Sequence, residues 1–115
     1  MGIYELTESV LAQTKLPFYY GIPEFAEGEE PSEYLTYEET EAPENFGDGE
    51  EHCTTYRVTV NLIHPKTDLS ILKNTKKLFK GAGFTFVGGA KIDVGGSYPF
   101  KIQHYQEYLI TLQEE

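Results

Sequence analysis

The clearest pattern of apolar and polar positions lies between Thr54 and Phe86. In TTYRVTVNLI, Tyr56, Val58, Val60 and Leu62 alternate with Thr55, Arg57, Thr59 and Asn61. Successive side chains of a strand point to opposite faces, so residues 54–63 read as a strand with one apolar face. His64-Pro65 stops it, because proline has no N–H to give to the ladder. The period then changes. Ile71, Leu72, Thr75, Leu78, Phe79 and Ala82 recur at helical spacing, which predicts a helix over 68–81 capped by Thr67 or Asp68. Gly81 and Gly83 offer the left-handed exit that commonly ends a helix, and Phe84-Thr85-Phe86-Val87 resumes as strand.

The rest of the chain builds onto this strand–helix–strand spine. Ile3, Leu6, Val10 and Leu11 predict a short amphipathic helix that ends before Leu16-Pro17. Phe18-Tyr19-Tyr20, closed by Gly21 and Pro23, reads as a short edge strand, and the acidic stretch 24–32 as a solvated loop. Tyr34 to Thr40 is rich in strand formers, with a far end expected to fray into solvent. Residues 42–51 (APENFGDGEE) should turn the chain into the spine strand as an antiparallel partner. Val87-Gly88-Gly89-Ala90 marks a bend or bulge, 91–94 continues extended, and 95–99 is a second glycine-rich loop. In the last strand His104, Gln106, Tyr108, Ile110 and Leu112 alternate with Tyr105, Glu107, Leu109 and Thr111. Segments 24–32, 42–52 and 94–100 are expected to be mobile in the isolated subunit, since they bury too little apolar area to offset chain entropy.

The order α-β-β-β-α-β-β predicts an α+β fold: a mixed, mainly antiparallel sheet of about five strands with two helices on one face. At 115 residues it makes one domain over 1–115, with nine Tyr and seven Phe supplying core mass in the absence of Trp.

Composition narrows the function. No apolar run approaches the roughly 18–20 residues of a membrane span. Residues 1–6 lack the basic start and apolar core of a secretion signal, and Leu6 stands where a myristoylation motif needs Ser or Thr. The lone Cys53 cannot form an internal disulfide and fits a reducing cytoplasm. A net charge of −10 argues against nucleic acid as the main partner, because phosphate affinity rests on Lys and Arg. The charge is also divided. Residues 1–65 hold 14 acids against two bases, a balance of −12, whereas residues 66–115 hold seven lysines against five acids, a balance of +2. Ends of opposite sign can pair with copies of the same chain; plain solubility is the other reading.

Catalytic constellations are scarce. His52, His64 and His104 are far apart and belong to no spaced ligand motif. His52 and Cys53 are neighbours on an expected strand and point to opposite faces, which makes a shared metal awkward. Cys53 reads as a small buried thiol rather than a nucleophile. The carboxylate pairs Glu29-Glu30, Glu38-Glu39 and Glu50-Glu51 lie in or beside loops, where acid–base chemistry lacks the burial it needs. Glu44, Asp48, Glu50 and Glu51 are a faint candidate for a divalent cation, for their spacing is not that of an EF-hand. Gly81-Ala82-Gly83 follows a helix instead of preceding one, so it is no phosphate loop. No metal or cofactor site is expected.

More informative are Lys73, Lys76, Lys77 and Lys80, which share one arc of the helix opposite its apolar stripe. They sit toward its C-terminus, where cations offset the helix dipole. Leu69 falls on this lysine side rather than in the stripe. An ordinary solvated face is the bland reading; a subunit contact involving Asp48, Glu50, Glu51, Leu69 and the four lysines is the sharper one.

Several segments together resemble a known family. Phe46-Gly47-Asp48-Gly49 leads into a strand of alternating Val and Tyr, and a Lys-rich helix closes in Gly83-Phe84. A glycine-rich turn and a final strand beginning at His104-Tyr105 follow, with Tyr34-Leu35-Thr36-Tyr37 as the earlier strand. Over residues 16–113 this resembles the phage tail completion proteins, the tail terminator or tail-to-head joining subunits of long, non-contractile-tailed phages and prophages. The resemblance implies a small α+β subunit that forms a hexameric ring on the tail tube and presents a surface to the head connector. It implies a structural virion protein at the tail–head interface, assembled in the host cytoplasm, with no catalysis and no cofactor. Its partners would be copies of itself, the tail tube protein and the neck protein, with no membrane and no nucleic acid. Another neck or minor tail component is the near alternative. A small-ligand-binding domain is a further one, and would need a pocket lined by several of Tyr19, Tyr34, Tyr37, Tyr56 and Tyr108. A small hydrolase or transferase fits least, for want of a spaced constellation.

Overall fold

The computed structural model describes residues 2–21, 23–26, 28–29, 31, 33–41, 53–65, 70–92 and 101–113. Its elements are α1 (Ile3–Ala12), β1 (Phe18–Tyr20), β2 (Tyr34–Glu41), β3 (Cys53–Pro65), α2 (Ser70–Gly81), β4 (Thr85–Ile92) and β5 (Lys101–Gln113). This is the α+β arrangement that the change of period predicts. The five strands form one mixed sheet in the order β1-β2-β3-β5-β4. β1 runs parallel to β2, and the other pairs are antiparallel.

The alternation in β3 decides which face is core. Val58, Val60 and Leu62 are fully buried, and their cross-strand neighbours Tyr108, Tyr37 and Leu35 are buried with them. Both helices pack on this face through Ile3, Val10, Leu11, Ile71 and Phe79. Phe79 stacks on Tyr108 with ring centroids 4.5 Å apart and meets Phe84 edge-on at 4.9 Å. The second contact belongs to the helix ending. Gly83, at φ 99°, reverses the chain so that the Phe84 N–H donates to the Phe79 carbonyl at 3.0 Å and the Gly83 N–H to that of Lys80 at 3.1 Å. That is a Schellman cap with its usual apolar clasp, and it fixes both the end of α2 and the start of β4. Among the described residues no helix covers the opposite face, where Thr55 and Thr111 share a hydroxyl contact of 2.7 Å and Gln103 donates to Asn61 at 2.9 Å.

Four features differ from the sequence reading. β3 runs through His64 to Pro65, and β5 starts at Lys101 to pair with it. A terminal proline costs this ladder little, because no further pair depends on its missing N–H. β2 does not fray: it stays paired through Glu41↔Tyr56 while the Glu38 and Thr40 side chains are exposed. Within the loop after β1, Phe25 is half-buried against Tyr19 and Tyr34 instead of merely solvated. The expected bulge is present between Phe86 and Gly88, and it leaves Val87 exposed. Segments 42–52 and 93–100, and the expected helix start at 68–69, lie outside the described residues.

Candidate functional site

The four helix lysines do converge. The apolar stripe of α2 is held down on the sheet, so the opposite arc faces outward, and Lys73, Lys76, Lys77 and Lys80 line one groove of about 360 Å³. Lys76 leans over Phe86 of β4, its Nζ 4.1 Å from the ring centroid, a cation–π contact that ties the groove to that strand. Lys80 occupies the last turn, where its charge offsets the helix dipole. The other half of the predicted contact, Asp48, Glu50, Glu51 and Leu69, lies outside the described residues, as do Glu44 and His52.

A second surface, which sequence reasoning did not single out, is built at the β1 edge. Tyr19, Phe25 and Tyr34 form a closed set of edge-to-face contacts with centroids 5.3, 5.9 and 5.2 Å apart. Beside them Tyr19, Tyr20, Pro23 and Phe25 line a groove of about 530 Å³, with Glu24 and Glu29 on its walls. The aromatic run Phe18-Tyr19-Tyr20 was its only sequence signal, because Phe25 joins it only after the chain turns at Gly21.

Tyrosines and carboxylates interlock next to this groove. The hydroxyls of Tyr4 and Tyr20 both donate to Glu39 Oε1 at 2.7 Å, and Tyr37 donates to Glu8. The hydrogen bond to Glu39 pushes the phenols of Tyr4 and Tyr20 up, and burial followed by the Glu8 bond does the same for Tyr37. All three therefore stay neutral donors that hold the carboxylates in place. Tyr4 and Tyr20 nevertheless expose about half their surface, 51% and 54%.

The histidines are not unrelated. β3–β5 pairing sets His104 across from Leu62, diagonal to the buried His64. The two rings lie near-parallel, with His64 Nε2 2.8 Å from His104 Nδ1. One nitrogen must donate and the other accept, so this contact is compatible with at most one added proton. Burial, then His64, then Lys91 push His104 below its ordinary value. Among the described residues no three of His, Cys, Asp and Glu gather as metal ligands. The tyrosines proposed as a ligand pocket divide between the two sheet faces: Tyr37, Tyr56 and Tyr108 join the core, whereas Tyr19 and Tyr34 pack with Phe25 on the other side.

No protein-family model matches the chain, and no curated protein matches it. No helix among the described residues is long and apolar enough to cross a membrane.

Proposed function

We propose that this chain is a structural virion subunit that closes the end of a phage tail tube and joins it to the head connector, as a hexameric ring. The observation that carries this reading is a resemblance seated on a matching architecture. The Phe46–Gly49 run, the Val/Tyr strand and the Lys-rich helix closing in Gly83-Phe84 belong to a chain of order α-β-β-β-α-β-β. Two further features support it. The connection from β2 to β3 leaves the sheet at its Glu41–Tyr56 end, and that from β4 to β5 leaves at the opposite, Pro65–Lys101 end. A subunit with connections at both ends has surfaces to offer a tube on one side and a connector on the other. The lysine groove of α2 also supplies a concentrated charge for a neighbouring subunit. A ligand-binding reading loses ground, because its five tyrosines do not face a common space.

Under this reading the work is done by shape and contact, with no reaction and no cofactor. Acidic residues of one subunit approach the lysine face of its neighbour. Exposed ion pairs contribute only about 0–1 kcal/mol each, so such contacts orient a ring more than they hold it. Assembly then proceeds on the tail tube as template, and the isolated subunit can be monomeric when dilute, associating with itself only at high concentration. Exchanging Lys73, Lys76, Lys77 and Lys80 for Glu tests the idea. The variant should fold normally by circular dichroism yet yield tails of irregular length and full heads without tails. Normal infectious particles from that variant would exclude the lysine contact.

A further inference from the structure

We infer that the aromatic, acidic groove at the β1 edge is the docking site for the α2 lysine face of a second copy of this chain. This rests on the ring reading above and names the acidic half of its subunit contact from described residues. The groove and the lysine face belong to opposite edges of one sheet. β1 is the first strand in the order β1-β2-β3-β5-β4 and β4 the last, and α2 is tied to β4 by Lys76 on Phe86. Residues 2–41 hold ten acids and one lysine, whereas residues 70–92 hold five lysines and no acid. A two-fold contact of either surface with itself would oppose like charges. A contact between the two edges pairs opposite charges, is heterologous, and repeats head to tail, which makes a ring where its rotation closes.

The groove suits lysine in particular. A lysine side chain presents an apolar stem and a charged tip, so it needs ring surface ending in a carboxylate. Tyr19 and Phe25 offer the rings, and Glu24 and Glu29 the carboxylates. Both rings are already fixed by their contacts with each other and with Tyr34. A preformed groove loses little side-chain freedom when it is filled. The contact of Lys76 with Phe86 is the same kind of lysine–ring pairing, made within one chain.

The test mixes purified light and heavy-nitrogen-labelled protein, treats it with a zero-length carbodiimide and maps the linked peptides by mass spectrometry. Links joining a light to a heavy chain should connect Glu24 or Glu29 to Lys73, Lys76, Lys77 or Lys80. Sedimentation then reads two variants, Glu24→Lys with Glu29→Lys, and Lys73→Glu with Lys77→Glu. Each alone should associate at least about tenfold more weakly than the parent, and their equimolar mixture should regain association because opposite charges face each other again. Any of four results overturns the inference: no light–heavy links at high concentration, links from the lysines to the 44–51 acids instead, variants that associate like the parent, or two folded variants whose mixture stays apart. The assay contains no phage component. Intact cross-links together with normal particles in the protein's absence would therefore sink the tail reading and leave the contact standing.

Discussion

Phe79 has no exposed surface and touches both Tyr108 and Phe84. Its burial was legible in the 3.6-residue spacing of α2; its partner Phe84 was not, because that contact depends on the turn at Gly83. Phe79→Ala should cost about 3–5 kcal/mol in urea unfolding, and a loss under about 1 kcal/mol would remove it from the core. The His64–His104 pair was hidden for a different reason: it joins residues 40 positions apart and exists only through the β3–β5 register. His104 makes stability depend on pH. Its ordinary value is 6.5, and burial chiefly, with His64 and Lys91, lowers it in the folded chain. Above 6.5 the ring is neutral in both states and contributes no pH dependence. As the pH falls below that value, the unfolded chain takes up the proton first, and stability declines until the folded ring is protonated too. Between about pH 7 and about pH 5, His104→Gln should therefore flatten part of the loss of urea midpoint seen in the parent. Parallel curves for the two proteins would contradict this assignment.

At the scale of elements, the change of period at Pro65 made the strand–helix–strand spine readable, and the glycines around β4 announced its bulge. What the pattern missed were lengths and pairing partners. β2 looked frayed because Glu38 and Thr40 are polar, yet exposed side chains are compatible with a fully paired backbone on a sheet face that no helix among the described residues covers. The bulge makes two adjacent glycines unequal. A Cβ on Gly89 would lie 2.5 Å from the Tyr105 carbonyl oxygen, whereas one on Gly88 would meet nothing within 4 Å. Gly89→Ala must push β4 and β5 apart and should cost about 1–3 kcal/mol. Gly88→Ala serves as the control, expected to shift stability by less than about 1 kcal/mol. Equal unfolding midpoints for the two variants would mean that the close approach at Gly89 is absent.

At the scale of the whole molecule, the fold is elongated, 50 × 25 × 23 Å, and its longest strands, β3 and β5, each run 13 residues. The division of charge was legible as −12 against +2, but its meaning in space was not. Only the strand order shows that the acidic groove beside β1 and the lysine-bearing helix over β4 occupy opposite edges. The groove around Phe25 escaped the sequence for the same reason, since its walls come from a strand and the loop that returns beside it. The proposed role makes both edges contacts within a ring, and leaves the two ends of the sheet for tube and connector. Electron microscopy of particles assembled without this protein tests that role most directly. The account predicts tails of uncontrolled length alongside filled heads that carry no tail; particles with tails of normal, uniform length joined to their heads would contradict it.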